Sequence, residues 1–193
     1  IADLSLYQVK TEDTLWHRVI NQTDCYAATV PIYNIVSPNG TLCEKRLLDV
    51  IQEHAESAVA IISIHCTPTL TMLKLAKSRI IPFASRGGGI VIRDMILRRR
   101  NDNVFLSIID EIINICSKYN TILSIGSSFR SGSIIDALDE AYMEELKVQL
   151  HLAEYIKKKG NKVIIETPGH VSAQGIHKLC DILLRYSFSI MPL

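Results

Sequence analysis

Polar side chains that can bind ligands or transfer protons follow two apolar runs of this sequence. His65 comes directly after the run that ends at Ile64, and Glu166 and His170 flank a Pro-Gly pair after the run that ends at Ile165. A histidine at a strand end can ligate a metal or move a proton, and a carboxylate with a histidine on one stiff loop can do either as well. A buried histidine bonded to backbone explains His65 equally well, and one Glu with one His does not establish a metal site.

Two further segments combine arginine with glycine and hydroxyl residues, a composition that suits anion binding. Residues 85–89 are Ser-Arg-Gly-Gly-Gly, and residues 126–133 are Gly-Ser-Ser-Phe-Arg-Ser-Gly-Ser. Consecutive glycines let backbone N–H groups converge on an anion at a helix N-terminus, and Arg86 can hold a phosphate through two hydrogen bonds. A flexible turn is the alternative for the glycine run. Together the four segments predict a site for a small molecule that carries a phosphate.

The elements that must position these segments alternate along the chain, which predicts a parallel α/β architecture. The predicted strands cover residues 58–64, 79–84, 121–125, 162–165 and 188–191, with weaker candidates at 2–6 and 28–33. In such folds the site lies at the carboxyl ends of the strands, which is where the four polar segments fall.

Helical spacing predicts the intervening helices. They cover residues 44–56, 105–116 with Cys116 in the core, and 143–159, and a further helical run starts at Ile90. We expect Glu144, Glu145 and Lys147 on the outer face of the third helix. The acids at 136, 139 and 140 suit capping of that helix better than catalysis.

Composition excludes several functional classes. The 193 residues are 48% hydrophobic and carry a net charge of +1, so nothing indicates a nucleic-acid partner or an anionic membrane. The basic run 98–100 suits a solvated helix end, and no apolar stretch reaches the roughly 18 residues of a membrane span. The five cysteines are scattered, which excludes a Cys-x-x-Cys pair and predicts a reduced, cytoplasmic protein.

Six motifs occur here in the order in which they occur in the phosphomethylpyrimidine synthase family. They are Val30-Pro31-Ile32-Tyr33, Ser63-Ile64-His65, Ser85 to Gly88, Gly126 to Ser133, Asp136 to Ala141, and Glu166 to Val171. Their order and spacing agree across essentially the whole chain, so the chain resembles the central (β/α)-barrel segment of that family. The resemblance implies a TIM-type barrel that is incomplete over residues 1–193, without its first strands and its C-terminal cluster-binding region.

The resemblance also implies a function. Members of the family convert aminoimidazole ribonucleotide into hydroxymethylpyrimidine phosphate for thiamine biosynthesis, using an adenosyl radical made from S-adenosylmethionine at a [4Fe-4S] cluster. The resemblance implies that eight residues contact the ribonucleotide through side chain or backbone: Tyr33, His65, Ser85, Arg86, Gly87, Ser127, Arg130 and Glu166. It implies that His170 is one of two zinc-ligating histidines. The resemblance is also compatible with a homodimer.

The sequence departs from the family at several positions. Ser127 stands where the family has Asp, Ser128 replaces a Gly, Ser131 a Pro and Ala2 a Met, and Phe188 stands where a Tyr is expected. A serine at 127 replaces a charged acceptor by a weaker one, roughly 0.5–1.5 instead of 1.5–3 kcal/mol. A catalytically inactive or altered-ligand paralogue and a hydroxybenzimidazole synthase of cobamide synthesis are therefore alternatives. Because the scattered cysteines form no cluster loop, we expect this polypeptide alone to be inactive.

Overall fold

The fold is built on one parallel sheet, in a computed structural model that describes residues 1–6, 11–35 and 39–185. Its strands are β1 (Ala2–Asp3), β2 (Ala28–Thr29), β3 (Ile61–Ile64), β4 (Ile122–Ile125) and β5 (Val163–Ile165). All neighbouring strands are parallel, and their order across the sheet is their order along the chain. The carboxyl ends of all five strands therefore lie along one edge of the sheet.

Helices connect the strands, as parallel pairing requires. They are α1 (Leu15–Gln22), α2 (Glu44–Glu56), α3 (Leu70–Leu75), α4 (Arg86–Leu97), α5 (Val104–Ser107), α6 (Ile109–Lys118), α7 (Glu140–Lys158) and α8 (Ala173–Leu183). Side-chain caps fix the starts of six of them: Thr14, Thr69, Ser85, Asp139 and Ser172 each accept the N–H of the residue three positions on, and Asn103 accepts the N–H of the residue two positions on. In the described part of the chain, no helix is both long and apolar enough to cross a membrane.

The core lies between the sheet and these helices. Fully buried residues of β3 and β4 pack with apolar side chains of α2, α6 and α7, among them Ile62, Leu123, Leu47, Ile112 and Leu146. Cys116 is buried there, as its helical position predicts. The predicted helix at 44–56 is confirmed, and Gly160 follows the end of α7 with a positive φ of 91°.

The parallel α/β prediction is confirmed. The strands predicted at 2–6, 28–33, 58–64, 121–125 and 162–165 all exist, although each is shorter than predicted. Within the described residues β1 and β5 are the two edges of an open sheet, and closure into a barrel is not seen. The candidate strand at 188–191, with Phe188, lies outside the described residues.

The prediction of a strand at residues 79–84 is wrong. This segment is a loop, because its backbone donors are used elsewhere: the N–H groups of Ile80 and Ile81 both donate to the carboxylate of Asp136, at 3.3 Å each. Pro82 has no N–H to offer a ladder. The β-branched residues that suggested a strand, Ile80 and Ile81, are instead exposed.

Three helix predictions also need correction. Helix α4 begins at Arg86 and contains the glycines, whereas the sequence predicted a helix from Ile90. The run 105–116 is broken at Ile108, whose φ of −125° and ψ of 21° separate α5 from α6. Glu145, expected on the outer face of α7, is fully buried.

Candidate functional site

Four elements bring the predicted site residues to the carboxyl edge of the sheet. His65 follows β3, Arg130 lies on the loop after β4, and Glu166 follows β5 directly. Tyr33 lies in a 3-10 turn, Pro31–Asn34, after β2. The fifth residue, Arg86, is the first residue of α4 and not the end of a strand.

Tyr33 and Arg86 are in direct contact. The Arg86 guanidinium carbon lies 5.6 Å from the centroid of the Tyr33 ring, a cation–π arrangement. Partial burial raises the pKa of the Tyr33 hydroxyl, while the charges of Arg86 and Arg130 act in the opposite direction and that of Glu166 in the same one. Two arginines and one carboxylate are therefore close enough to Tyr33 to influence its hydroxyl.

Glu166 is held by a residue of β3 and by the loop after β4. Its Oε1 accepts a hydrogen bond from Ser63 Oγ at 2.8 Å, and its Oε2 accepts the N–H of Ser127 at 3.3 Å. Ser63 lies in β3 and Ser127 follows β4. The carboxylate is thereby fixed at the sheet edge while remaining partly accessible.

His65 is neutral and tightly enclosed. Burial lowers its pKa from 6.5 to about 4; the charge of Glu166 opposes this shift and that of Arg130 adds to it. A Cβ atom on Gly87 would lie 2.3 Å from His65 Cε1, and one on Gly126 would lie 2.9 Å from His65 Nε2. The ring therefore occupies a slot between two glycines, and its Nδ1 has no hydrogen-bond partner in the described structure.

The glycine run is explained by close packing and not by an open anion nest. Two of its N–H groups are already used by Ser85, the N-cap of the helix: Gly88 N donates to Ser85 Oγ at 3.1 Å and Gly89 N to Ser85 O at 3.0 Å. A Cβ on Gly88 would lie 2.5 Å from Ser128 Cβ, so Gly88 lets α4 approach the loop after β4. Attraction for an anion thus rests on the side chain of Arg86, which is exposed.

These packing distances predict opposite effects on stability at two glycines of the same helix turn. Gly87→Ala is expected to cost roughly 1–3 kcal/mol of unfolding free energy, because the new methyl group overlaps the His65 ring. Gly89→Ala is the matched control: its Cβ meets Phe83 at 3.4 Å, an ordinary contact, and alanine favours the helix by up to about 1 kcal/mol. Urea unfolding of both variants tests this, and equal stabilities would contradict the glycine slot.

A buried carboxylate that the sequence analysis placed on the surface organises the loop after β4. Glu145 of α7 accepts hydrogen bonds from Thr67 Oγ1 at 2.5 Å, Ser127 Oγ at 3.1 Å, Ser128 N at 2.7 Å and Phe129 N at 2.6 Å. Burial raises the pKa of Glu145, and these four hydrogen bonds act against that shift. The hydroxyl of Ser127, a predicted ligand contact, is fully buried and turned toward Glu145.

Arg79 holds the same loop from its carbonyl side. Its Nη2 donates to Phe129 O at 2.9 Å, and its guanidinium forms two bonds with Asp139, Nε to Oδ2 at 2.7 Å and Nη2 to Oδ1 at 2.5 Å. Asp139 also caps α7 through Tyr142 N, which confirms the capping role predicted for it. The loop backbone is thus bonded on one side to a buried anion and on the other to a buried cation.

His170 lies on an exposed loop beside Arg130. Its N–H and its Nδ1 both lie near Ser131 O, at 3.0 and 3.3 Å, and Ser131 Oγ donates to His170 O at 2.7 Å. A shallow cleft of about 570 Å³ opens here. It is lined by Ala84, Arg130, Ser131, Ile134, Gly169, His170 and Val171. Arg130 therefore joins this cleft to the cluster around Tyr33 and Glu166.

The described residues do not by themselves fit a metal centre or an iron–sulfur cluster. No group of three His, Cys, Asp or Glu side chains lies close enough to hold a metal within residues 1–6, 11–35 and 39–185. Cys66 and Cys116 are buried and their thiol pKa values are raised to about 12 by burial, while the other three cysteines are exposed at separate places. His170 is the single residue here that the family resemblance assigns to zinc.

Comparison with known proteins decides the family. A sequence profile of the radical SAM ThiC family matches residues 1–189. The chain belongs to that family. The phosphomethylpyrimidine synthase of Alkaliphilus oremlandii is 34% identical over 182 residues, which cover 91% of this chain and 41% of the relative. That of Desulforamulus reducens is 32% identical over 174 residues, 86% of this chain and 40% of the relative.

The family assignment confirms the resemblance drawn from the motifs. A third synthase, from Thermotoga sp. strain RQ2, is 34% identical over 154 residues, covering 79% of this chain and 36% of the relative. The chain thus spans about two fifths of the length of these curated relatives. The inactive-paralogue and hydroxybenzimidazole alternatives receive no support from these comparisons.

Proposed function

We propose that this chain forms the ribonucleotide-binding part of a phosphomethylpyrimidine synthase, which converts aminoimidazole ribonucleotide into hydroxymethylpyrimidine phosphate. The observation that carries the proposal is the convergence of Tyr33, His65, Arg86, Arg130 and Glu166 at one edge of the sheet. Two cations suit a phosphate, and a carboxylate with a neutral imidazole suits the amino and hydroxyl groups of a nucleotide. The family assignment and the synthase relatives support the same substrate.

The surroundings of each residue suggest how the work is divided. Arg86 is exposed at the start of α4, where the helix dipole adds positive potential, so it would bind the phosphate. Glu166, fixed by Ser63 and the N–H of Ser127, would accept hydrogen bonds from ribose or base. Because the pKa of His65 is lowered to about 4, its imidazole is neutral at pH 7 and would offer a hydrogen bond without a charge.

The cofactors of the proposed reaction need more of the protein than the described residues supply. In this family a cluster with S-adenosylmethionine supplies the radical that attacks the substrate. The cysteines of this chain do not group to hold such a cluster, and His170 offers zinc one ligand where a stable site has three or four. The strand order, which follows the chain without reversal, supports a TIM-type barrel as the complete fold, to which this chain would contribute one segment.

Replacing the phosphate ligand tests the proposal. Arg86→Ala is expected to weaken binding of aminoimidazole ribonucleotide more than tenfold, because a charge-assisted hydrogen bond is worth at least about 1.5 kcal/mol. Arg46→Ala, which removes an exposed arginine from α2, is the matched control and should bind like the wild type. Titration calorimetry on the three proteins measures the effect. Equal affinities of the two variants would reject the role of Arg86, and a wild type that fails to bind at millimolar ligand would reject the proposed substrate.

A further inference from the structure

The loop after β4 carries three of the contacts that define the candidate site. Arg130 projects from it, the N–H of Ser127 reaches Glu166, and Ser128 packs on Gly88 at the start of α4. Arg130 is itself tied back to the loop, because its Nη1 donates to Ser127 O at 2.7 Å. The path of residues 127–129 therefore sets where Arg130 stands relative to Glu166.

One side chain outside the site accepts the N–H groups along that path. Glu145 is completely buried in α7, and all four of its partners are hydrogen-bond donors. Two of them are the consecutive N–H groups of Ser128 and Phe129, which no strand or helix of the described structure satisfies. A carboxylate can accept hydrogen bonds from all four donors. An amide has only one oxygen, so its NH₂ group, itself a donor, would face two of them.

We propose that Glu145 is a positioning residue of the nucleotide site, which sets Arg130 and the Ser127 N–H opposite Glu166. This inference rests on the proposed function, since it assigns Glu145 a part in ligand binding. Glu145 touches no accessible surface, so it acts on the ligand only through the loop.

The chain offers a control within the same hydrogen-bond cluster. Thr67 donates to Glu145 Oε1 from the other side and makes no bond to the backbone of residues 127–129. Thr67→Val removes this donor while keeping the shape of the side chain, so it loosens the cluster without removing the acceptor of the loop. Glu145→Gln keeps the size of the side chain and removes half of its acceptors.

The experiment compares affinity with stability. Titration calorimetry with aminoimidazole ribonucleotide and urea unfolding are performed on the full chain of wild type, Glu145→Gln and Thr67→Val. We expect both variants to unfold at lower urea. We expect Glu145→Gln to lose at least tenfold in affinity and Thr67→Val to lose at most twofold. Loss of affinity in proportion to loss of stability in both variants would overturn the positioning role.

A second readout does not depend on the ligand. The ¹⁵N signal of Arg130 Nε, identified by its absence in Arg130→Lys, should shift in Glu145→Gln and stay unchanged in Thr67→Val. If the wild type does not bind the ribonucleotide, the proposed function fails while this signal still decides the inference: a shift in Glu145→Gln alone supports it, and an unchanged signal overturns it. Should Glu145→Gln not fold, Glu145→Asp, which withdraws the carboxylate by one methylene group, takes its place in both measurements.

Discussion

Lowering the pH from 7 to 4 is expected to cost the fold several kcal/mol through two buried histidines. Burial lowers the pKa values of His54 and His65 from 6.5 to about 4. Below pH 6.5 these histidines bind protons in the unfolded chain but not in the folded chain. The free energy of unfolding is therefore at its full value above pH 6.5 and falls until about pH 4. At about 1.4 kcal/mol per pKa unit, each histidine accounts for roughly 3 kcal/mol over this window.

The surroundings of His54 explain why it stays neutral. Its Nδ1 pairs with Thr29 Oγ1 at 2.9 Å, and its ring lies 4.8 Å from that of Trp16. Glu53 and Asp3 favour the charged form but do not outweigh burial. At His65 the charge of Arg130 works with burial and only Glu166 opposes it. At both rings the nearby carboxylates therefore do not outweigh the cost of burying a positive charge.

Two measurements test the acid prediction. Proton NMR should show two of the six histidines without titration between pH 8 and 5.5, and urea unfolding from pH 7 to 4 should show the loss of stability. His54→Gln should flatten the dependence on pH, while His177→Gln, an exposed control, should not. Titration of all six histidines near pH 6.5 would refute the burial of these two rings.

Local rules predicted those parts of the fold that depend on neighbouring residues. The cap Asp139, the strand ends before His65 and Glu166, and the end of α7 at Gly160 were all readable because each depends on a few consecutive residues. The family motifs predicted in addition that Tyr33 belongs to the same site as these segments.

The remaining features depend on partners far away in the chain. The strand expected at 79–84 does not form because Asp136 takes its N–H groups, and an apolar pattern carries no sign of that. Glu145 was assigned to the surface by its residue type, although it lies on the inner stripe of α7 with Tyr142, Leu146 and Gln149. The helical spacing of Glu145 predicts a buried position, and only its charge pointed to the surface. The glycines of α4 suggested an anion loop, whereas their packing against His65 and Ser128 appears only in three dimensions.

Arg79→Met is expected to destabilise the fold by about 3–5 kcal/mol, the usual cost of removing one member of a buried ion pair. The Arg79 side chain is 1% exposed and Asp139 is 27% exposed, so the pair is shielded on the arginine side. The substitution removes the donor to Phe129 O as well as both bonds to Asp139, and a thioether supplies none of them. Asp139 keeps its bond to Tyr142 N, so α7 should retain its start.

Three variants distinguish the contribution of the ion pair to stability from the effect of removing a positive charge. Lys77→Met removes an exposed positive charge two residues away and should change the unfolding free energy by less than about 0.5 kcal/mol. Arg79→Lys keeps the charge but cannot form the two-pronged contact with Asp139, and should fall between wild type and Arg79→Met. In a double-mutant cycle with Asp139→Asn, the two losses should be strongly non-additive, since both substitutions break the same bonds. Additive losses in that cycle, or a cost for Arg79→Met no larger than that for Lys77→Met, would show that the contact between Arg79 and Asp139 does not hold the loop after β4 in place.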